Sequence, residues 1–228
     1  MEEAAVPQLL TEYQVYVLEE WNRFTSDPAR PEATLDAASG LDVSRVLDIG
    51  CGAGQEMLPF IERGAAGIGL DPAPETGSMR RLLPEHRSVT FVRGMAEHLP
   101  FAEASFDIII CRVALPYMNN KRALGEMART LRSRGRLLLK IHAAPYYTHK
   151  FGEGIRRRDP LFSIHAARVL AEGILYHLIG RQLRVLSGET FQSERLLGRE
   201  LQPLGLRITG HMRDTNPLTP SFIIEKIL

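Results

Sequence analysis

The sequence has little cysteine, and its two cysteines lie far apart. Cys51 and Cys111 are the only ones among 228 residues, and neither has a cysteine or histidine neighbour at the spacing of a zinc site. So few thiols also argue against a disulfide scaffold and are typical of proteins in a reducing compartment. We therefore predict a cytoplasmic protein that has no metal site.

Long apolar runs, a basic leader and an excess of either charge are also missing. The longest apolar stretches are short, such as residues 108–111, whereas a membrane span needs about 20 apolar residues. Residues 1–5 are acidic and do not resemble the start of a signal peptide. Lys and Arg number 28 and Asp and Glu 27, so the net charge of +1 provides no long-range attraction to nucleic acid. We expect neither a membrane span nor a nucleic-acid partner.

Strand and helix patterns alternate through residues 45–142. Helices are predicted at 55–63, 75–83 and 120–131, and Gly and Pro residues separate the elements. This alternation predicts an α/β fold with a doubly wound, mostly parallel, Rossmann-like sheet. Two further strands joined by a turn-rich loop bring the total to seven and predict an antiparallel last strand. The seven predicted strands are residues 45–49, 67–71, 89–93, 106–111, 135–142, 206–211 and 221–228.

Two segments outside this pattern are expected to cover the sheet. Residues 1–40 hold an amphipathic helix (6–24) and a connector, and they predict an N-terminal helical cover. Residues 143–188 are too long for a plain crossover. They hold an aromatic and basic loop (143–159) and a long apolar helix (161–183), which predict a helical lid insertion within one domain of residues 1–228. Core packing and a homodimer face are alternative explanations of the apolar helix.

A glycine-rich loop follows the first strand. Gly50, Gly52 and Gly54 alternate there, so the backbone can adopt positive φ and a ligand can lie against it. The helix that follows presents free N–H groups to an anionic group. Asp71 ends the next strand, about 20 residues on, where a carboxylate can accept hydrogen bonds from both ribose hydroxyls; it could instead cap the next helix. Gln55 replaces the third glycine of the dinucleotide fingerprint, which argues against a nicotinamide-dependent oxidoreductase.

The segment 46–54, with Asp48 inside the strand, resembles motif I of the class I S-adenosylmethionine-dependent methyltransferases. The resemblance is strongest to the small-molecule type that includes the ubiquinone and menaquinone C-methyltransferases. Four more segments resemble family motifs in the correct order: residues 69–74, 94–101, 105–110 and 131–137. The last of them resembles the usual turn into the fifth strand, although Arg134 stands where Pro or Gly is commoner.

The resemblance implies S-adenosyl-L-methionine as cofactor and assigns a role to each matching residue. Asp48 and the loop from Gly50 through Cys51 and Gly52 to Gly54 would face the methionine part. Asp71 would hold the ribose, and Pro72 would lie beside the adenine. The remaining assigned residues would border the adenine or lie near the sulfonium: Met95, Ala96 and Glu97 at the adenine, and Cys111 and Arg112 at the sulfonium.

Acceptor-side residues are expected after the fourth and fifth strands, because ligands of such sheets lie outside the carboxyl ends of the strands. His142 and His149 are candidate general bases, and Tyr146 is the third catalytic candidate. Tyr117 and Tyr147 are expected near the same place. The run Arg156 to Arg158 is either an anion site or a solvated surface.

These observations favour methyl transfer to an O, N or C nucleophile of a small-molecule acceptor. Methyl transfer from a sulfonium needs alignment above all, and a base only if the nucleophile arrives protonated. RNA- or protein-directed methylation is the alternative within the same chemistry. The balanced charge and the absence of an Asn/Asp-Pro-Pro-Tyr motif after the fourth strand count against nucleic acid. A non-catalytic, cofactor-binding partner subunit of the same fold is the other alternative.

Overall fold

The computed structural model describes residues 10–76, 89–183 and 185–227. The helix predicted at 75–83 lies almost wholly outside the described residues. Within them the strands form one seven-stranded sheet in the order β3-β2-β1-β4-β5-β7-β6. The strands are β1 (Arg45–Ile49), β2 (Ala66–Asp71), β3 (Val89–Arg93), β4 (Phe106–Arg112), β5 (Leu131–Lys140), β6 (Leu206–His211) and β7 (Ser221–Lys226).

The strand directions confirm the predicted fold class. β1 to β5 run parallel to one another, and β7 is antiparallel to both of its neighbours, β5 and β6. Between Phe106 and Arg112 the core residues of β4 are fully buried on both faces of the sheet, as expected for a parallel strand covered by helices. Ile109 packs in the cluster that includes Leu137 and Leu139. Ile108 and Ile110 pack in the cluster on the opposite face.

Seven α-helices surround the described part of the sheet. Short 3₁₀ turns occur at Gln55–Met57, Leu115–Tyr117 and Gln202–Leu204. The α-helices are α1 (Glu12–Ser26), α2 (Ala29–Ala37), α3 (Leu58–Ile61), α4 (Asn120–Thr130), α5 (Ala144–Arg157), α6 (Pro160–Ile179) and α7 (Glu194–Leu201).

Two segments differ from the sequence-based prediction. The connector at 26–40 contains the nine-residue helix α2. The segment at 143–159, predicted to be a loop, is the 14-residue helix α5, with Pro145 in its first turn, where the missing N–H costs nothing. α5 packs along α6, and Gly154 permits their close approach, because a Cβ there would overlap Oγ of Ser163. Packing against α6 thus stabilises a helix that local sequence alone did not indicate.

The helix predicted at 55–63 begins as a 3₁₀ turn and continues as the short helix α3. Pro59 lies in the first turn of α3, so it starts this helix and does not kink it.

The insertion is a pair of helices held by contacts to the rest of the fold. α6 ends at Gly180, which has φ +67°. Gly173 of α6 packs against Phe191, and the hydroxyl of Tyr176 donates to Glu200 of α7. The strand after α7 is β6, so α7 leads the chain back to the sheet edge.

Candidate active site

Three adjoining cavities lie at the carboxyl ends of β1, β2 and β4. Tyr16 of α1, Arg112 and Val113 line all three, so these residues stand where the cavities meet. We name them the Asp71 cavity (about 280 Å³), the glycine-loop cavity (about 60 Å³) and the outer cavity (about 660 Å³). Ligands of open α/β sheets bind at this edge.

The Asp71 cavity brings together the residues predicted for the nucleoside part of a cofactor. They come from the end of β2 and the turn after β3, and they are Asp71, Pro72, Met95, Ala96 and Glu97; Gly50 of the glycine loop, predicted for the methionine part, lines this cavity too. Met118 and Tyr117, from the segment after β4, close the other side. The cavity thus combines apolar walls with two carboxylates, as a nucleoside site requires.

Asp71 is buried and connects β2 to the glycine loop. Its Oδ2 accepts from the Gly52 N–H at 3.1 Å, and its Oδ1 accepts from the Ala73 N–H at 2.9 Å. Each carboxylate oxygen has a second lone pair, so both can still accept from ribose hydroxyls. Glu97 accepts from the Asn119 N–H at 2.7 Å through Oε1.

Gly50, Gly52 and Gly54 all have positive φ, at +68°, +51° and +78°. The requirement is strictest at Gly50, where a Cβ would lie 2.5 Å from the Cβ of Ala114. The chain after β4 therefore packs directly on the loop. Cys51 and Gly52 line the glycine-loop cavity, whereas Gly54 supports the loop from outside the three cavities.

The glycine-loop cavity holds two carboxylates whose charge is only partly compensated. Oδ2 of Asp48 and Oε2 of Glu56 are buried and have no hydrogen-bond partner within the described ranges. Burial, reinforced by the charge of Glu56, raises the pKa of Asp48 well above its usual value. A cationic group in this cavity would satisfy both oxygens, which fits the ammonium of a bound amino-acid moiety.

A chain of ion pairs surrounds this cavity. Glu56 Oε1 lies 2.5 Å from Arg30 Nη2 and 3.1 Å from Arg112 Nε. Arg112 also pairs with Asp214, which accepts from Lys140 Nζ at 2.9 Å. These ion pairs join α2, the 3₁₀ turn Gln55–Met57, β4, the β6–β7 loop and β5, so they fix the distances between elements that line the site.

Val113 has φ +52°, a rare conformation for a β-branched residue. Its N–H donates to the carbonyl of Lys140 at 2.8 Å, which holds the strained turn in place. Such strain is often found at functional sites, and Val113 lies where all three cavities meet.

The outer cavity is lined by aromatic and cationic side chains and by three carboxylates, those of Glu20, Asp27 and Asp214. His142 stacks on Tyr146 with ring centroids 3.9 Å apart, and Lys150 lies 4.9 Å from the centre of the Tyr146 ring. Burial, with Lys150 and Lys140 adding to it, lowers the pKa of His142 to about 4, so the imidazole is neutral at neutral pH. Two of the three catalytic candidates thus lie side by side in this cavity.

Other predicted residues lie elsewhere. Cys111 is fully buried in the core and lines none of the three cavities, because successive side chains of a strand point to opposite faces and Arg112 takes the cavity side. His149 is exposed and lines none of them either. Arg156, Arg157 and Arg158 are exposed at the far end of α5.

Several residues that line the cavities had no sequence signal. Glu56, Arg30 and Asp214 belong to no motif and meet only through the tertiary fold. No motif pointed to Lys140 or Lys150 either. Lys140 ends the fifth strand and Lys150 lies in the segment 143–159, so both could have been proposed as acceptor-side residues from their positions alone. Within the described residues there is no cluster of three or more His, Cys, Asp or Glu that could hold a metal.

Comparison with known proteins gives a consistent result for the middle of the chain. Residues 47–139 match the family described as methyltransferase domain. An uncharacterized methyltransferase of Bacillus subtilis, YcgJ, is 42% identical over 105 residues, covering 44% of this chain and 42% of the relative. A demethylmenaquinone methyltransferase of Thermobifida fusca is 34% identical over 112 residues, covering 47% and 48%. The chain thus spans about half the length of the curated relatives it matches.

Solved structures share the fold over a longer range. A Burkholderia thailandensis 1,6-didemethyltoxoflavin-N1-methyltransferase, solved with its acceptor and S-adenosylhomocysteine, gives a TM-score of 0.57 at 18% identity and covers 99% of this chain and 97% of that one. The chain therefore shares the overall fold of this solved methyltransferase structure. No helix within residues 10–76, 89–183 and 185–227 has the length and apolar character to cross a bilayer.

Proposed function

We propose that the chain is a class I S-adenosylmethionine-dependent methyltransferase that transfers the methyl group of S-adenosyl-L-methionine to a nucleophile of a small-molecule acceptor, because residues 47–139 match a methyltransferase domain. The observation that carries this proposal is the junction of the three cavities. The Asp71 cavity and the glycine-loop cavity, which are lined by residues predicted to bind the cofactor, meet the larger outer cavity at Tyr16, Arg112 and Val113.

In this proposal Asp71 binds the ribose hydroxyls, and Pro72, Met95, Ala96 and Glu97 surround the adenine. Asp48 and the loop of Gly50, Cys51 and Gly52 hold the methionine part, with Glu56 as a further partner for its ammonium. The uncompensated oxygens of Asp48 and Glu56 support this placement. Arg112 holds Glu56 in position and lines the passage to the outer cavity.

The bound cofactor supplies a methyl group already activated by the positive sulfur. The protein then needs to align the nucleophile with that group and exclude water, which can supply about 7–11 kcal/mol of barrier reduction. We propose that the outer cavity does this, with Tyr146 orienting the acceptor and His142 accepting its proton. His149 is the third candidate of the sequence, and its exposure makes it the weakest.

The size of the outer cavity favours a small acceptor. About 660 Å³ lies within the range of small-molecule sites, and α1 and α5 line it from two sides. We propose on this basis that residues 1–40 and 143–188 are the covers of a single domain. RNA- or protein-directed methylation would need an open surface at this place. A second copy of the chain on the exposed apolar residues of α6 is a separate proposal.

The experiment that tests the proposal is calorimetric titration with S-adenosylmethionine, S-adenosylhomocysteine and NAD. We expect both sulfur compounds to bind and NAD not to bind. Asp71→Ala should weaken the binding by about 1–3 kcal/mol, because ribose hydroxyls then lose their acceptor. Asp36→Ala is the matched control, since Asp36 lies outside the cavities and pairs with the exposed Arg213. Binding of NAD alone, or an Asp71→Ala variant with unchanged affinity, would contradict the assignment.

The non-catalytic alternative makes a different prediction. A partner subunit would bind S-adenosylhomocysteine as an active enzyme does, yet would show no turnover with any acceptor. A native mass spectrum of the purified protein, which shows the nucleotide that copurifies, tests the cofactor assignment without an acceptor.

A further inference from the structure

Hydrogen-bond contacts link His142, which lines the outer cavity, to Tyr147 and through it to Glu189. The hydroxyl of Tyr147 donates to Oε2 of Glu189 at 2.9 Å, and Nδ1 of His142 lies 3.3 Å from the same hydroxyl oxygen. Oε1 of Glu189 lies 2.9 Å from Nε2 of His165. Tyr147 of α5 is almost fully buried against Val169 of α6 and Phe191, so the contacts of its hydroxyl are shielded from water, whereas the His165 side chain is 44% exposed.

The carboxylate of Glu189 decides which atoms donate and which accept in the contacts with Tyr147 and His142. An ionised Glu189 can only accept, so the single hydroxyl proton of Tyr147 is committed to it. Burial and the adjacent carboxylate raise the pKa of Tyr147, which keeps that proton in place. The Tyr147 oxygen can therefore only accept from His142, and Nδ1 of His142 must carry the proton.

The other ring nitrogen is then the acceptor. Nε2 of His142 has no hydrogen-bond partner among the described residues, and the ring lines the outer cavity. The segment that carries Glu189 is anchored close by, since the Thr190 N–H donates to Pro116 and the Gln192 N–H donates to the carbonyl of His142. These backbone bonds therefore fix the position of Glu189 relative to His142.

We propose that Glu189 and Tyr147 are positioning residues that fix the tautomer of His142, and that the acceptor is a planar, conjugated molecule whose attacking atom bears an acidic O–H or N–H. This inference rests on the proposed function. As the bond between the acceptor atom and the methyl carbon forms, the bond from methyl to sulfur breaks and its electron pair stays on sulfur. The acceptor proton moves to Nε2 of His142, which becomes an imidazolium.

The surroundings of Nε2 favour that acceptor class. The Tyr146 ring stacked on His142 and the exposed Tyr117 provide flat apolar surfaces for a ring. Lys150 lines the same cavity and favours the anion that forms when the acceptor loses its proton, whereas the charge of Lys140 is paired with Asp214. A buried imidazole beside two lysines is a weak base, so its substrate has to be acidic.

The tautomer is tested by ¹⁵N NMR of histidine-labelled protein at neutral pH. His142→Phe identifies the His142 signals among the seven histidines. We expect Nδ1 protonated and Nε2 unprotonated in the wild type. Glu189→Gln, whose amide can donate to Tyr147, should convert most of His142 to the other tautomer, and Tyr147→Phe should do the same. Glu153→Gln on α5 is the matched control and should change nothing, because Glu153 pairs with the exposed Arg157.

Two results would overturn the positioning role: protonated Nε2 in the wild type, or an unchanged tautomer in Glu189→Gln. Binding of S-adenosylhomocysteine to Glu189→Gln is measured in parallel and should be unchanged. Absence of cofactor binding in the wild type would refute the proposed function, whereas the tautomer result stands or falls independently of it.

The acceptor class is tested with 4-nitrophenol and its methyl ether, 4-nitroanisole, on protein saturated with S-adenosylhomocysteine. We expect 4-nitrophenol to bind at least about tenfold more tightly, a difference of about 1.4 kcal/mol. His142→Phe should remove this preference. Absence of a preference in the wild type, or a preference retained in His142→Phe, would overturn the assigned class.

Discussion

Gly50 connects β1 to the glycine loop at φ +68°, with the Cβ of Ala114 only 2.5 Å from where a Gly50 side chain would begin. A side chain at this position would meet both a strained backbone and a rigid neighbour. Gly50→Ala should therefore lower the free energy of unfolding by about 2–4 kcal/mol and abolish measurable binding of S-adenosylhomocysteine. Urea denaturation and calorimetry measure the two effects.

Gly64 provides the control for that prediction. It has φ +92°, but no atom lies within 4 Å of the place that a Cβ would occupy. Gly64→Ala should cost about 1–2 kcal/mol from backbone strain and leave cofactor affinity unchanged. Equal destabilisation by Gly50→Ala and Gly64→Ala would show that overlap with Ala114 adds nothing to the effect of Gly50→Ala on stability.

His142 makes the stability of the fold depend on pH. Its pKa is lowered from 6.5 to about 4, mainly by burial, so between these values the unfolded chain binds a proton that the folded chain does not. The contribution of neutral His142 is complete above pH 6.5 and is lost as the pH falls toward 4. A full shift corresponds to about 3 kcal/mol. We expect His142→Phe to show a flatter loss of stability over this interval than the wild type in urea titrations, and parallel curves would contradict the shift.

At the scale of elements, α6 depends on one close contact. Gly173 lies in the middle of the helix, and a Cβ there would overlap the ring of Phe191. Gly173→Ala should destabilise the protein by about 1–3 kcal/mol, because either the ring or the helix has to move. Gly125 in α4 is the matched control, since a Cβ there meets no atom within 4 Å.

Gly125→Ala should instead stabilise the protein by about 0.5–1 kcal/mol through helix propensity. Opposite signs for the two substitutions in urea denaturation would demonstrate that packing, and not propensity, decides the effect at Gly173. The same sign for both would mean that α6 is free to shift away from Phe191.

At the scale of the whole molecule, Arg112 links distant parts of the chain. Its guanidinium is buried between Glu56, which follows the glycine loop, and Asp214 in the β6–β7 loop. Arg112→Ala would leave Glu56 with Arg30 and Asp214 with Lys140 as their remaining cations. We expect a loss of about 2–3 kcal/mol in the free energy of unfolding from the removed charge-assisted bonds.

The pair of Arg213 and Asp36 provides the control. Its atoms lie 2.7 Å apart, but the two side chains are 75% and 47% exposed. Arg213→Ala should cost less than about 1 kcal/mol, because water replaces a lost surface partner. A similar loss of stability for Arg112→Ala and Arg213→Ala in denaturant titrations would show that burial of the Arg112 ion pairs adds no stability.

Local sequence determined the parallel core, the glycine loop and the position of Asp71. Alternating apolar strands and helices leave few ways to bury both faces of a sheet, and three alternate glycines encode positive φ directly. The same local reasoning failed for α5, because its helix is stabilised by contact with α6 and not by its own composition. It also placed Cys111 near the sulfonium, whereas the structure buries Cys111 in the core and Arg112 and Val113 line the cavities.

Only the tertiary structure brought together Arg30, Glu56, Arg112 and Asp214, which are up to 184 positions apart in the chain. The same is true of His142, Tyr147 and Glu189. Charges and hydrogen-bond partners are chosen by distance in space, and a sequence pattern reports only neighbours along one element. The residues expected on the cofactor side lie in short motifs at the ends of β1, β2 and β3, so local sequence could suggest them. The acceptor side combines His142 and Tyr146, which their position after β5 suggested, with residues of separate segments that no local pattern connects.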